Sequence, residues 1–404
     1  MSTASVATSY RALFAEPVLR RLAVADAFAR LPQGMVSITV LLVAAQHASM
    51  AVAGLAVAGY TLGQAVTGPV RGRLADRHGL VPVTAACGTG YALALLALLA
   101  GAMAGAPAGL LIGTAAAAGL VNPPLSPGLR SLWSVHAGAG LTQTAFALDA
   151  AVMNLGYIAG PVLASALAAG LAPAAALGLL LALTGAATVI IGRQPHRPQP
   201  PARAPRALAP RALPSPGLRR LMLTAALVNA ALSASEVALT GYVRHHHALW
   251  ASGPLLAEVS IGSILGSLLL GTRSVTGAGS RTSTRSLLAL LAGYAAGLAL
   301  LTAAGLDAPL LAAAAPLAGF CLGPALAALF GQAAGAAPPG GGTETQAWLN
   351  SIMNAGGAAG AALAGLTSRQ PVLALGLSFA LAVAAATCAT NGSGDTEART
   401  SPVR

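Results

Sequence analysis

Lysine is absent from this 404-residue chain, and charge of either sign is scarce. Only 8 % of the residues are charged, against roughly a quarter in soluble domains. Aromatic residues make up 4 %, too few to suggest an aromatic cage for a cationic ligand. The three cysteines, Cys87, Cys321 and Cys388, are far apart and each sits inside an apolar stretch. That excludes a disulfide framework or a metal site and reads as small buried hydrophobes. No G-x-x-x-x-G-K-[ST] loop is present, so the chain is not expected to be an ATPase, or an enzyme of any kind. The missing lysine, beside abundant Ala and Gly, reads as codon bias and carries no chemistry.

What is present is apolar. Hydrophobic residues make up 56 % of the chain, and the mean hydropathy is +0.73. Apolar runs of about 20 residues recur, the length that crosses a bilayer core as a helix. The short alternating strands of a membrane β-barrel are missing. The expected fold is all-α and polytopic, with twelve spans near 22–46, 51–70, 80–103, 108–132, 141–169, 173–192, 219–243, 252–272, 284–304, 308–333, 343–366 and 371–390. The opening MSTASVATSYRALFAEPVLRR is too polar for a cleavable signal, so the first span is expected to be retained.

Arginine placement gives the sidedness. With the N-terminus in the cytoplasm, 19 arginines fall on cytoplasmic segments, Arg71, Arg73, Arg77 and Arg130 among them. Arg244 and Arg369 are left outside, and Arg30 lies within a span. Cytoplasmic loops carry such an excess, so both termini are expected there. The net charge of +12 then reads as topology, and no nucleic-acid partner is expected. The segment RQPHRPQPPARAPRALAPRALPSPG, residues 193–217, has no apolar periodicity and reads as an extended linker. It divides an N-terminal half, 1–192, from a C-terminal half, 218–390. The tail 391–404 is polar and expected to be disordered.

The halves resemble each other. LRRL occurs at 19–22 and again at 218–221, an offset of 199. At an offset of 200, Gly119 matches Gly319, Pro124 matches Pro324 and Met153-Asn154 matches Met353-Asn354. Gly156 and Gly160 match Gly356 and Gly360 at the same offset. Ala and Gly matches come cheaply in this composition, but M-N-x-G-x-x-A-G does not. A duplicated six-helix unit is expected.

Between the second and third spans lies GRLADRHG, residues 72–79, which holds four charged or titratable residues in eight. Gly79 can take the positive φ of a tight reversal, and Gly72 allows a neighbouring backbone to come close. Asp76 can accept hydrogen bonds from the free N–H groups that begin another helix. Together with the spans, linker and repeat, this loop resembles the signature of the major facilitator superfamily, through Gly72, Leu74, Ala75, Asp76, Arg77 and Gly79. Leu80 and Val81 stand where that family places a basic pair. The resemblance implies two parallel six-helix repeats with the substrate path between them, worked by alternating access. It also implies that Asp76 meets the eleventh span near GGGTETQAW, where Thr343 and Gln346 form a capping-box pattern. An arginine at the cytoplasmic end of the fourth span would be a further partner, and Arg130 is the candidate.

Acids buried in a bilayer are functional candidates by default. Asp26 and Arg30, four apart on one helix face, either neutralise each other or, for Arg30, contact an anionic substrate. Asp26 also lies near the cytoplasmic end, within reach of water. Asp149, Asn154 and its repeat mate Asn354 read equally as packing or as substrate path. Glu236 lies near the middle of the seventh span with no opposite charge within a turn, and is the first choice for proton coupling. Glu258 and Glu344, near helix ends, read as structural. Gly156-Tyr-Ile-Ala-Gly160-Pro161 resembles part of the antiporter signature of proton-coupled drug exporters. Ala164 and Leu167 replace its later glycines, and Ala115 stands where R-x-x-x-G exporters carry arginine. Asn122-Pro123-Pro124 interrupts the fourth span, and bending or plain packing would both use it. His245-His246-His247 reads as a solvated loop. The resulting expectation is a monomeric proton-coupled exporter of a small molecule in a bacterial plasma membrane, with no cofactor. Uptake of a metabolite and a non-transporting sensor are the alternatives.

Overall fold

The computed structural model describes residues 3–46, 48–193, 216–245, 252–270, 284–304, 307–366 and 370–390. Most of the expected linker, the tail 391–404, and His246 and His247 lie outside the described residues. Among the described residues every regular element is a helix. They are α1 (Thr3–Ala15), α2 (Pro17–Ala44), α3 (Met50–His78), α4 (Leu80–Met103), α5 (Ala108–Leu120), α6 (Leu125–His136) and α7 (Gly138–Gly170). These are followed by α8 (Pro173–Gly192), α9 (Pro216–His245), α10 (Ser252–Leu270), α11 (Thr284–Ala304), α12 (Ala308–Ala336), α13 (Gly342–Leu366) and α14 (Pro371–Thr390).

Local chemistry sets several boundaries. Pro17 begins α2, at the position where its missing N–H costs nothing. Ser49 caps α3 through Val52 N–H, and Asp307 caps α12 through Leu310 N–H. Two features depart from the expected spans. The additional helix α1 packs on α2 and α7. The stretch 108–132 is two helices, α5 and α6, separated at Val121–Pro124.

Polarity is arranged inside out. Leu62 is 66 % exposed and Leu93 63 %, whereas Asp26, Arg30, Arg130 and Asp149 are buried. Lipid rather than water is the solvent for such a surface, and polar groups face the bundle interior. Nine helical stretches among the described residues, with α5 and α6 counted together, are long and apolar enough to cross a membrane. The chain is a multi-pass membrane protein.

Small residues let the helices approach. A Cβ on Gly156 would lie 2.8 Å from the Arg30 carbonyl oxygen, and one on Gly160 would lie 2.7 Å from Met35 N. Gly356 and Gly360 press in the same way on the backbones of Ala226 and Ala230 of α9. Gly119 meets the Tyr60 carbonyl, and Gly319 meets the Val259 carbonyl. Glycines and partners alike recur 195 to 200 residues later.

Candidate functional site

A cavity of about 460 Å³ opens in the middle of the bundle. Its wall draws on α2 through Gln33, α3 through Tyr60, α7 through Tyr157, α9 through Asn229 and Glu236, and α13 through Asn354. Among the described residues Glu236 is the one carboxylate on this wall. Asn154 also lines it and donates to Ser263 Oγ of α10 at 3.1 Å, joining α7 to the far side.

Asn122, Pro123 and Pro124 form part of the same wall. Two successive prolines remove two helical donors, so the chain breaks between α5 and α6. The Leu120 carbonyl, which the residue at 124 would otherwise bond, instead accepts the Thr67 hydroxyl of α3 at 2.7 Å. Beyond the break, α6 carries Arg130, which is fully buried.

There Arg130 joins a buried ion quartet. Its Nε donates to Asp149 Oδ2 at 2.8 Å, and its Nη1 to Asn350 Oδ1 of α13 at 2.8 Å. The guanidinium lies 3.4 Å over the Phe330 ring of α12. Arg30 donates from Nη2 to the other oxygen of Asp149, from Nε to Asp26 at 3.2 Å and from Nη1 to Gln33 at 3.2 Å. Two guanidinium groups and two carboxyl groups thus share one buried cluster. The expected Asp76–Arg130 contact is therefore not formed, because Arg130 is held by Asp149. Asp26 does not reach water; α2 carries it into the packed interior, where it is fully buried. Arg30 also lines the cavity, with one of these hydrogen bonds made by each of its three nitrogens.

The GRLADRHG end is closed from the other side of the bundle. Helix α3 continues through the motif to His78, and Gly79, at φ 94°, turns the chain directly into α4. A Cβ on Gly72 would stand 2.9 Å from Glu344 Cα and 2.8 Å from Ala347 Cβ, so α3 and α13 meet nearly backbone to backbone. Asp76 Oδ1 accepts the Thr343 N–H at 3.0 Å, and Oδ2 accepts the Glu344 N–H at 2.8 Å. These are free donors of the first turn of α13, capped by a carboxylate from another helix. Gln346 does not close a capping box; its amide donates to the Phe330 carbonyl at 3.0 Å. Burial pushes the Asp76 carboxyl up to about 6, and the two amide donors oppose that rise. Arg73 pairs with Glu344 at 2.6 Å, while Arg77 is exposed. Glu344 thus belongs to the contact between the two ends rather than only to its own helix dipole.

The glycines Gly156, Gly160, Gly356 and Gly360 make the helix contacts already described, and Pro161 lies within the unbroken α7. Glu258 is half-buried on α10. Two residues escaped sequence reasoning. Arg73 was counted only for topology, and so was Arg71, which is buried on the cavity wall. The signal for Arg71 was its register: Tyr60, Gln64, Gly68 and Arg71 fall on one helical face.

A profile of the Major Facilitator Superfamily matches residues 22–361. The human organic anion transporter MFSD10 (TETRAN) superposes with a TM-score of 0.75 at 15 % identity, over 92 % of this chain and 98 % of that one. A bacterial homologue of the iron transporter ferroportin, in its outward-facing state, gives 0.74 at 14 %, over 93 % and 99 %. The Escherichia coli fucose:proton symporter FucP gives 0.71 at 12 %, over 91 % and 98 %. At these identities the likeness is one of fold. Comparison with curated proteins finds no significant sequence match.

Proposed function

The chain belongs to the Major Facilitator Superfamily, and from that premise we propose that it is a secondary active transporter that exports a small molecule in exchange for protons. The two halves, 1–192 and 218–390, rock about the central cavity, and both termini face the cytoplasm of a bacterial cell. The cavity is the substrate path, and the GRLADRHG end is the cytoplasmic gate. The observation that carries this reading is Glu236, the carboxylate on a wall built by helices of both halves. A carboxyl there is wetted or dried as the cavity opens and closes, so it can take up a proton in one state and release it in the other. The glycine contacts that recur about 200 residues apart support the division into halves.

The test is flux of a compound panel in inverted membrane vesicles, with and without an imposed pH gradient. Export predicts accumulation that collapses with the gradient and is lost in Glu236→Gln. Full pH-driven flux in that variant would remove Glu236 from the coupling step. Uptake would show as flux in the opposite sense to the proton gradient's export direction. A sensor would show no gradient-dependent flux for any compound.

A further inference from the structure

We propose that Arg71 anchors the negatively charged group of the transported molecule, so that the cavity takes a small organic anion bearing a carboxylate. This rests on the cavity being the substrate path, and it names a chemistry for that path. Arg71 is only 7 % exposed, yet it stands on the cavity wall. Its Nη2 donates to the Gln64 carbonyl at 2.9 Å, and its Nε has no hydrogen-bond partner. No carboxylate among the described residues forms an ion pair with it. The titratable groups within its electrostatic range are Cys87 and Tyr60, both neutral at pH 7.

The contrast with the other interior arginines is sharp. Arg30 holds two carboxylates and an amide oxygen, and Arg130 holds one carboxylate and an amide oxygen. A buried cation without a counter-ion is unfavourable unless something supplies the charge. A carboxylate suits Arg71, because the Nε–H and Nη–H edge of a guanidinium presents two parallel donors to two oxygens. The wall around it offers phenols and amides from Tyr60, Tyr157, Asn122, Gln33 and Asn354, which suit a polar or hydroxylated body. The volume of about 460 Å³ lies within the range of small-molecule sites.

The test is ligand-induced thermal stabilisation of the purified protein in phosphatidylcholine nanodiscs, where no anionic headgroup competes. The probes are small carboxylates from lactate to benzoate and gluconate, each matched with its primary amide, at constant chloride. At least one acid should stabilise the protein where its amide does not. Arg71→Gln should weaken that acid at least tenfold, and Arg71→Lys should keep the preference for acid over amide at reduced affinity. Binding is read here without flux or a pH gradient, so failure of the Glu236 coupling scheme leaves this readout standing and the two proposals fail separately. Equal effects of acids and amides, no effect of any acid, or unchanged binding in Arg71→Gln would each overturn it. Stabilisation by added chloride alone, with no acid preference, would also overturn it in favour of an inorganic anion.

Discussion

Replacing Asp149 by Asn should cost about 3–5 kcal/mol, the range for removing one partner of a buried ion pair. Asp149 accepts from Arg30 and from Arg130, and all three are nearly inaccessible. The substitution removes the one carboxylate that bridges both guanidinium groups, and leaves Arg130 in the packed interior without its ion-pair partner. Removing charge in balance should behave differently. The repeat mates of the quartet, by the offsets of 196 and 200, are Met222, Ala226, Phe330 and Leu349, so the second half already fills these positions with apolar groups. The double variant Arg130→Phe with Asp149→Leu keeps Arg30 paired with Asp26. It should lie within about 1–2 kcal/mol of the parent, since well-packed apolar replacements of buried ion pairs are often neutral. Steric trapping in bicelles measures both unfolding free energies on one scale. The reasoning is refuted if Asp149→Asn costs under about 1 kcal/mol, or if the double variant is less stable than the single one.

Two further outcomes concern the GRLADRHG end, read by alkylation of Asn350→Cys from that side in a background where the three native cysteines are Ser. The Asp76 carboxyl sits near 6 when buried against α13 and returns toward 3.8 when solvated, so the closed end binds the proton more tightly. The resulting extra closure is complete below pH 3.8 and lost as pH rises through about 6. Divided by the rate for the same thiol in the unfolded protein at each pH, which removes the change in thiolate fraction, alkylation should therefore be slower at pH 5 than at pH 7.5, and Asp76→Asn should abolish the difference; a normalised rate independent of pH in the parent would contradict it. Gly72→Leu puts side-chain atoms where Glu344 Cα and Ala347 Cβ already stand, an overpacking of about 1–3 kcal/mol, and should raise the alkylation rate at least fivefold at any pH.

Helix positions were legible because a bilayer imposes one length on every span, so runs of about 20 apolar residues mark them without help from tertiary structure. Asn122-Pro123-Pro124 was legible as an interruption of the fourth span, because two missing donors cannot be hidden inside a helix, but its division into two helices was not. Pairing was not legible. Arg130 finds Asp149 on the next helix and Asn350 far along the chain, and local spacing does not rank Asp149 above Asp76 as its partner. Asp26 looked water-accessible from its distance to the end of the span, but burial there is decided by how α2 packs on α6 and α7. Arg71 was lost because the span was ended at the last apolar residue, whereas the helix and its inward face run on to His78.

The same prolines and charges show how a duplicated scaffold became asymmetric. Pro124 and Pro324 are mates at an offset of 200, yet only the first breaks its helix; α12 runs unbroken from Ala308 to Ala336. The difference lies in the neighbour. Pro123 removes a second donor beside Pro124, whereas Gly323 keeps its N–H beside Pro324. Just after the break, α6 carries Arg130 in a fully buried position, where its charge needs a partner. Asp149 and the Asp26–Arg30 pair are placed beside it. In the second half no break delivers a cation, and Phe330 stands at the matching position. The two mates then meet, the Arg130 guanidinium lying over the Phe330 ring. The proline at position 123, where its mate is Gly323, is thus coupled to a place where the halves share a cation–aromatic contact. Pro123→Ala should restore a donor, straighten α5 into α6, and draw Arg130 away from Phe330 and Asp149.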